Sequence, residues 1–407
     1  MIPVDTVRGR SVGGALLGRM ALAAAFLVFL AALSGLARAA DDKAFASKAP
    51  YAFLLNYDTG TVLYEKASDK PFPPASLAKL MTMTVVFDAV ASGSVSLDAE
   101  YKVSEHAWRT GGGPSGGSAM FVELNSTVRL GDLIQGVIIQ SGNDAAIVIA
   151  EGMAGSEAAF ADLMNKRAAE LGLKNSHFLN PTGLDAPGMV VTARELAMIA
   201  NYLIGQHPDL YKIYSRTEFT WNDITQRNRN PLLRLDIGAD GLKTGYTKES
   251  GYGLVASTVQ NGQRLIAVVA GLDSEKNREE EAKRLIEWGY ESFEQVSLFE
   301  DGESAGEARV YGGATIGVPL VGKGPVRVVL PKEGREELRA RILYRGPLPA
   351  PVEKGTRIAT LQILRNDAVI QETPLFAGAD VPEGGLARKA TDAALELLFG
   401  WIWQVSL

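Results

Sequence analysis

Apolar and polar residues alternate with two different periods over residues 50–296, and each period predicts one kind of secondary structure. Strand-like runs at residues 52–56 and 61–65 flank the turn Asp58-Thr59-Gly60 and predict a hairpin. Two further strand-like runs meet at Asn261-Gly262, a dipeptide typical of tight hairpin turns. Strands at both ends of the region, with helices inserted between them, predict an α/β (α+β) domain with an antiparallel sheet. The helical periods cover residues 76–91, 130–151, 157–171, 193–204 and 275–290.

The pattern changes after residue 296, where helical periodicity disappears until the end of the chain. Short strand-like runs separated by clusters of glycine and proline are typical of a small β-sandwich. We therefore expect an α/β domain over residues 40–296 and a β-rich domain over residues 297–383. The strand-like runs are residues 309–311, 326–330, 339–344, 357–364 and 368–374.

Both ends of the chain carry targeting patterns. Three arginines precede the charge-free run 20–36, and Ala37-Arg38-Ala39 follows it, which is the pattern of a secretory signal peptide over residues 1–39. The alternative is a retained transmembrane anchor, but the apolar run is shorter than the ~20 residues that a span needs. The signal predicts an exported protein and is typical of bacteria.

Residues 384–407 predict an amphipathic helix. Arg388, Asp392 and Glu396 recur every four residues and form one polar stripe among apolar residues. Two tryptophans near the end are of the kind that settles at a membrane surface, and the apolar stretch is too short to span a bilayer. The pattern therefore favours a helix of residues 385–407 that lies in a membrane surface, and the alternative is a helix docked on the protein's own core.

Composition removes several functional classes. The 407 residues include no cysteine, which excludes disulfides, thiolate metal sites and cysteine nucleophiles. The three histidines are scattered, so a metal enzyme is not favoured. A net charge of −6 lacks the broad basic field that nucleic-acid binding needs. A serine hydrolase that uses histidine as its base also has few candidates.

The segment Ser76-Leu77-Ala78-Lys79 places a hydroxyl and an amine three residues apart at the predicted start of a helix. This spacing puts both side chains on one face. A serine hydroxyl needs a neighbouring base, and a lysine serves as that base only when desolvation or another cation lowers its pKa. By itself the pattern is also typical of an N-cap serine followed by a solvent-exposed lysine.

Two other segments carry complementary groups. Ser141-Gly142-Asn143 follows an apolar run and offers a hydroxyl for proton relay and an amide for binding a peptide, although these residue types also favour a simple turn. Lys243-Thr244-Gly245 precedes a strand and offers a cation and a hydroxyl to a carboxylate, and the glycine lets a substrate backbone approach.

In this order the three segments resemble the S-x-x-K, S-x-N and K-T-G series of penicillin-recognising serine acyl enzymes. The flanks extend the likeness to the low-molecular-weight penicillin-binding proteins, the D-alanyl-D-alanine carboxypeptidases of peptidase family S11. The likeness covers nearly the whole mature chain. The flanking stretches are Pro74-Ala75-Ser76-Leu77-Ala78-Lys79-Leu80, Gln140-Ser141-Gly142-Asn143-Asp144-Ala145, His177-Phe178-Leu179-Asn180-Pro181-Thr182-Gly183 and Asp240-Gly241-Leu242-Lys243-Thr244-Gly245.

The resemblance implies a catalytic set of Ser76, Lys79, Ser141 and Lys243. Ser76 would attack the peptide carbonyl between two D-alanines, and Lys79 would accept its proton. Ser141, linked to Lys243, would pass a proton to the departing D-alanine, and water would then free the acyl group.

The resemblance also implies a substrate-binding set. Asn143 would hold the acyl-side amide, while Thr244 and Lys243 would face the terminal carboxylate beside Gly245. Arg229 would help to bind that carboxylate. The backbone N–H groups of Tyr246 and of the nucleophile would form the oxyanion hole. The implied substrate is the peptidoglycan stem pentapeptide, and β-lactams are the implied covalent inhibitors. The implied place is the periplasm, on the outer face of the inner membrane, and no metal or organic cofactor is required.

Two other functions compete with this interpretation. A class A β-lactamase needs a deacylating glutamate in an E-x-x-L-N loop. Here Glu170-Leu171-Gly172-Leu173 is followed by Lys174 and is predicted to end a helix. A cell-wall-binding protein that has lost turnover is the second alternative, and the intact motifs argue against it.

Overall fold

The computed structural model describes residues 4–8, 45–333 and 338–399. It divides into two compact units. The larger unit is Ser47–Glu294, and the smaller unit combines Gln295–Leu407 with Met1–Ala46. The predicted signal peptide lies outside the described residues except for Val4–Arg8, which pairs in parallel with a strand of the smaller unit.

The larger unit contains a five-stranded antiparallel sheet with the order β2-β1-β9-β8-β7. The two hairpins predicted from the sequence are therefore confirmed, and they lie side by side because β1 pairs with β9. Two short pairs, β3 with β4 and β5 with β6, lie outside this sheet. The strands are β1 (Tyr51–Asn56), β2 (Val62–Lys66), β3 (Glu100–Lys102), β4 (Thr127–Arg129), β5 (Glu218–Trp221), β6 (Ile224–Arg227), β7 (Ala239–Thr247), β8 (Gly251–Gln260) and β9 (Gln263–Leu272).

Helices of the larger unit cover this sheet and build the insert between its strands. Consecutive residues 265–269 of β9 are all buried, and because neighbours on a strand point to opposite faces, both faces of the sheet are covered there. Helices α5 and α7 both pack on β9. The helices are α1 (Lys79–Ala91), α2 (Leu130–Gln135), α3 (Asn143–Ala154), α4 (Glu157–Glu170), α5 (Ala193–Gln206), α6 (Pro208–Tyr211) and α7 (Glu275–Ser292).

The single helix predicted over residues 130–151 is wrong at its centre. Helix α2 passes into one π-helical turn, Gly136–Gln140, and α3 begins only at Asn143. The break falls at Ser141, whose backbone takes a left-handed conformation with φ of 62°. The apolar period crosses the break undisturbed because residues on both sides face one core. The interruption takes Ser141 and Gly142 out of helical geometry and makes Asn143 the first residue of α3.

The smaller unit is β-rich, as predicted. Its larger sheet has the order β14-β16-β17-β12-β11-β15, with Val4–Arg8 outside β14, and a second sheet pairs β10 with β13. The core between them is aliphatic. Strand β12 was not predicted, since its five residues include a proline. The strands are β10 (Phe293–Phe299), β11 (Gly306–Tyr311), β12 (Gly317–Val321), β13 (Val326–Pro331), β14 (Leu338–Tyr344), β15 (Leu348–Pro349), β16 (Arg357–Arg365) and β17 (Ala368–Ala377).

The predicted C-terminal helix is present as α8, Leu386–Phe399. Asp392 of its polar stripe packs against the rest of the smaller unit: it is only 1% exposed, and its Oδ2 accepts a hydrogen bond from the backbone N–H of Gly312 at 2.9 Å. Its apolar face is turned outward, because Leu386 is 87% and Leu397 is 85% exposed. Among the helices that the structure describes, none has both the length and the apolar character needed to cross a membrane.

Candidate active site

A cleft of about 540 Å³ in the larger unit collects residues from all three sequence motifs. The first turn after the Pro73-Pro74 pair forms its floor, and β7 forms one wall. The β5–β6 hairpin with the segment after it and the start of α7 form its rim. The lining residues are Ser76, Ser118, Ser141, Gln226, Arg227, Asn228, Arg229, Pro231, Arg234, Thr244, Gly245, Tyr246, Glu275, Arg278 and Glu279.

Ser76 and Lys79 are held together by a short turn that leads into a helix. Residues Ala75–Ala78 form a 3₁₀ turn, and α1 continues directly from Lys79. The amine of Lys79 lies 2.9 Å from Ser76 Oγ, within hydrogen-bonding distance. The spacing of three therefore places the two groups as the sequence predicts.

Lys79 is fully buried, and its amine has two further oxygen partners. Asn143 Oδ1 lies 2.7 Å away, and the backbone carbonyl of Thr182 also accepts a hydrogen bond from Nζ. Burial, and then the positive charge of Arg229, lowers the pKa of Lys79 to about 7, while Asp144 acts in the opposite direction. Near neutral pH a large fraction of this amine is unprotonated and can accept a proton from Ser76.

Ser141 and Lys243 form a second hydroxyl–amine pair in the cleft. Lys243 Nζ donates to Ser141 Oγ at 2.8 Å and to the carbonyl of Thr244 at 3.1 Å. Burial lowers the pKa of Lys243 well below its usual value, and the cations of Lys79, Arg229 and Arg278 lower it further. This amine is therefore poised to exchange a proton through Ser141.

Strand β7 presents Thr244, Gly245 and Tyr246 along the cleft wall. A Cβ on Gly245 would lie 3.0 Å from Leu77 Cγ and 3.1 Å from the carbonyl oxygen of Pro74. Glycine is thus required for close packing of the strand on the nucleophile turn, a reason the sequence analysis did not identify. The ring of Tyr246 is half-exposed and stacks on Tyr252 at a centroid distance of 4.1 Å.

Asn143 is anchored at the start of α3. Its backbone N–H donates to the carbonyl of Ser118 at 2.8 Å, so the glycine-rich loop of residues 111–118 reaches the cleft next to it. The neighbouring Asp144 is buried and accepts hydrogen bonds from four backbone N–H groups, those of residues 120, 121, 122 and 145. Burial raises the pKa of Asp144, and these hydrogen bonds oppose the rise.

Arg229 lines the cleft, and its Nε donates to the carbonyl of Gln140 at 3.0 Å, directly before Ser141.

The structure adds Arg278 of α7, which was not predicted from the sequence. Arg278 is 6% exposed, and within the described residues its Nε has no hydrogen-bond partner. The guanidinium lies over the ring of Tyr252, with 5.6 Å between its Cζ and the ring centroid, and its free Nε is suited to bind an anion in the cleft. Its position four residues before buried Ala282, on the core face of α7, was the available signal.

Other parts of the described chain do not offer a competing chemistry. No group of three or more potential metal ligands occurs in residues 45–333 and 338–399 or in Val4–Arg8. Glu170, the glutamate considered for a β-lactamase, pairs with Arg167 at the end of α4 and does not line the cleft. The carboxylates that do line it, Glu275 and Glu279, lie on α7 at the rim.

Comparison with known proteins agrees with the motifs. Residues 37–274 match the family model Peptidase_S11, D-alanyl-D-alanine carboxypeptidase, and residues 293–383 match the C-terminal domain of penicillin-binding protein 5. The Escherichia coli D-alanyl-D-alanine carboxypeptidase DacC is 38% identical over 95% of this chain and 97% of its own length.

Solved structures give the same result. Penicillin-binding protein 5 from Haemophilus influenzae is 38% identical, with a TM-score of 0.77 over 84% of this chain and 99% of its own. Penicillin-binding protein D2 from Listeria monocytogenes, solved in an ampicillin-bound form, is 29% identical with a TM-score of 0.53 over 61% of this chain and 99% of its own. The chain therefore belongs to peptidase family S11, the serine D-alanyl-D-alanine carboxypeptidases of the penicillin-binding protein class.

Proposed function

We propose that this enzyme removes the terminal D-alanine from peptidoglycan stem pentapeptides through an acyl-enzyme on Ser76. The observation that carries the proposal is the convergence of two hydroxyl–amine pairs, Ser76 with Lys79 and Ser141 with Lys243, in one cleft. Membership of the S11 family supports the same reaction.

In the acylation step, Ser76 Oγ attacks the carbonyl carbon of the bond between the two D-alanines. The neutral amine of Lys79 accepts the hydroxyl proton as the new C–O bond forms. The backbone N–H groups of Ser76 and Tyr246 stabilise the negative charge on the carbonyl oxygen. A buried amine suits this role because its lowered pKa lets it act as a base near pH 7.

The departing D-alanine needs a proton on its nitrogen when the C–N bond breaks. Ser141 donates this proton and recovers one from Lys243, which lies 2.8 Å away. A substrate carboxylate next to Lys243 raises the pKa of that amine, since it adds a negative charge in a buried site. Substrate binding thereby favours the protonated form of Lys243, which replaces the proton that Ser141 gives to the departing D-alanine.

The wall of the cleft recognises the two ends of the scissile dipeptide. Asn143 binds the acyl-side amide, and Thr244 with Lys243 and Arg229 faces the terminal carboxylate. We add the buried guanidinium of Arg278 to this carboxylate site. The proton that Lys79 took from Ser76 then returns to Lys243, which restores the neutral amine of Lys79. This amine takes a proton from the attacking water and passes it to Ser76 Oγ as the acyl C–O bond breaks, and the tetrapeptide leaves. β-Lactams, which place a carboxylate beside a strained amide, acylate Ser76 in the same way.

We propose that residues 1–39 are a signal peptide and that residues 40–296 form the catalytic domain. Residues 297–383 form the β-rich domain, and residues 384–407 hold the exported enzyme on the outer face of the bacterial inner membrane. Support for the last point comes from α8, whose polar face meets its own unit while Leu386 and Leu397 face outward. An apolar face presented in this way fits a lipid surface.

Incubation with a muropeptide mixture followed by mass analysis tests the reaction. We expect pentapeptides to lose the mass of one alanine, and a Ser76→Ala variant to lose both this activity and covalent labelling by fluorescent penicillin. Unchanged D-alanine release by that variant would refute the assignment. Hydrolysis of penicillin faster than pentapeptide would indicate a β-lactamase instead.

A further inference from the structure

The amine of Lys79 has three oxygen partners, and two of them are acceptors only. Asn143 Oδ1 and the carbonyl oxygen of Thr182 carry no proton, whereas Ser76 Oγ can donate. A neutral amine has two protons and one lone pair. When its protons go to Asn143 and Thr182, the lone pair is left facing the Ser76 hydroxyl, which is the orientation needed to remove that proton.

The position of the Thr182 carbonyl is fixed by a side chain outside the three motifs. Asn180 Oδ1 accepts hydrogen bonds from Thr182 N at 3.1 Å, Thr182 Oγ1 at 2.7 Å and Gly183 N at 2.7 Å. Its Nδ2 donates to the carbonyl of Leu184 at 3.0 Å. One amide therefore closes the whole turn from which the Thr182 carbonyl points at Lys79.

The turn is also pressed against the nucleophile. Thr82, one helical turn after Lys79, donates to the carbonyl of Pro181 at 2.7 Å, so α1 binds two consecutive carbonyls of the turn. Gly183 has a φ of +77°, and a Cβ there would lie 1.8 Å from the carbonyl oxygen of Ala75. The turn has no room to shift without moving the residue that precedes Ser76.

We propose that Asn180 is a positioning residue for the general base: it holds the Thr182 carbonyl as the fixed second acceptor of Lys79 and thereby aims the lone pair of the amine at Ser76. The proposal rests on the proposed function, in which Lys79 takes the proton of Ser76. Asn180 itself touches neither the substrate nor the reacting atoms.

The test is the rate of acylation by fluorescent penicillin, measured from pH 5 to pH 9.5 for the full-length enzyme. The plateau rate at high pH, where Lys79 is neutral in every variant, reports the orientation of the amine. We expect Asn180→Ala to lower this plateau by about 10- to 100-fold, the range for misplacement of a catalytic group. Asn180→Asp keeps the accepting oxygen and should stay within about threefold of the parent plateau.

The midpoint of the same profile reports the pKa of Lys79. The charged groups that act on Lys79, Arg229 and Asp144, are unchanged in all variants, as is the neighbouring Lys243. Because a loosened turn admits water to the amine, we expect the midpoint to rise in Asn180→Ala. In Asn180→Asp the added negative charge also raises the midpoint, so only the plateau separates the two variants.

Asn165→Ala is the matched control for loss of stability. Asn165 braces the same loop upstream through Phe178, donating to its carbonyl at 2.7 Å and accepting from its N–H at 2.9 Å, and does not bind Thr182. We expect a lower melting temperature with a plateau within about twofold of the parent. An unchanged plateau in Asn180→Ala, or equal losses in Asn165→Ala and Asn180→Ala, would overturn the proposal. Retained D-alanine release by Ser76→Ala would instead overturn the proposed function.

Discussion

At the scale of single residues, one buried amine connects the chemistry of the cleft with its packing. Removing Lys79 from water disfavours its charged form, and this same cost produces the base that Ser76 needs. Its three oxygen partners satisfy the polar group within the core. Burial here is thus a functional feature, maintained at some expense to stability.

The acylation rate is expected to rise with pH through a midpoint of about 7 and to level off above it. The neutral amine is the active form, and its fraction grows as pH passes the pKa from below. Penicillin acylation measured at constant ionic strength checks this. A rate that is flat from pH 5 to pH 9, or that falls through pH 7, would contradict the role of Lys79.

Replacing Lys79 with arginine tests the same role, because the guanidinium of Lys79→Arg stays charged. We expect its acylation rate to be about 10²- to 10⁴-fold lower than that of the parent enzyme.

Replacing Arg278 should weaken recognition of the terminal carboxylate. We expect Arg278→Gln to lower kcat/KM for a pentapeptide about 10- to 100-fold, the value of a charge-assisted hydrogen bond in a buried site. A substrate analogue that ends in an amide should be affected much less. Arg234→Gln is the control: Arg234 also lines the cleft but is exposed, so a loss below about threefold is expected. Equal losses of kcat/KM on the pentapeptide and on the amide analogue would argue against binding of the terminal carboxylate by Arg278.

At the scale of elements, the break between α2 and α3 gives the cleft its shape. Ser141 reaches Lys243 from a left-handed residue, and Asn143 reaches Lys79 from the first position of α3. Asp144 fastens this break to residues 120–122 through three of its four backbone hydrogen bonds. An uninterrupted helix would turn the side chains of Ser141 and Asn143 about 200° apart, so both could not enter the same cleft.

Asp144→Asn should destabilise the larger unit by about 2–4 kcal/mol. An amide has one accepting oxygen instead of two, so two buried N–H groups would lose their partners. The substitution also removes the charge that raises the pKa of Lys79, and the midpoint of the acylation profile should fall below that of the parent. Urea titration and the pH profile measure the two effects. Exposed Asp162→Asn should change stability by less than about 0.5 kcal/mol.

Helix α8 is held by a buried charge. Asp392 accepts from the N–H of Gly312, and its other oxygen lies 3.0 Å from the guanidinium of Arg388. We expect Asp392→Ala to undock the helix, because the variant loses a buried hydrogen bond to a charged group. Trypsin should then cleave after Arg388 or Lys389 about 10- to 100-fold faster than in the parent. Thr391→Ala, on the exposed side of the helix, should leave the cleavage rate unchanged. Equal cleavage of the two variants would argue against docking by Asp392.

At the scale of the whole molecule, the proposed catalysis and the proposed membrane attachment belong to different units. The proposed catalytic and substrate-binding residues lie within Ser47–Glu294, and α8 belongs to the other unit. The two functions should therefore be separable by substitution.

A chain that stops after Gly384 should lose binding to vesicles of phosphatidylethanolamine and phosphatidylglycerol. Turnover of a soluble pentapeptide should remain within about twofold. Leu397→Asp should weaken vesicle binding about 10- to 100-fold, since burial of one leucine contributes about 1.5–3 kcal/mol. Flotation with the vesicles measures both variants, and full retention of the truncated chain would show that attachment lies elsewhere.

The sequence alone determined the class of chemistry. Ser76 and Lys79 are three residues apart, and a local turn brings them together whatever the rest of the chain does. The hairpins of β1–β2 and β8–β9 follow equally from local alternation and turn residues. The order of the three motifs in the sequence indicates the same family that the family model matches.

The tertiary structure decided what depends on long-range packing. The pKa of Lys79, the partnership of Ser141 with Lys243, and the burial of Arg278 beside the cleft arise from packing among segments far apart in the chain. The break at Ser141 was hidden because the apolar period runs through it. Charge and polarity are properties of residues and can be read along a sequence, whereas desolvation and the aim of a lone pair depend on neighbours that only folding brings together.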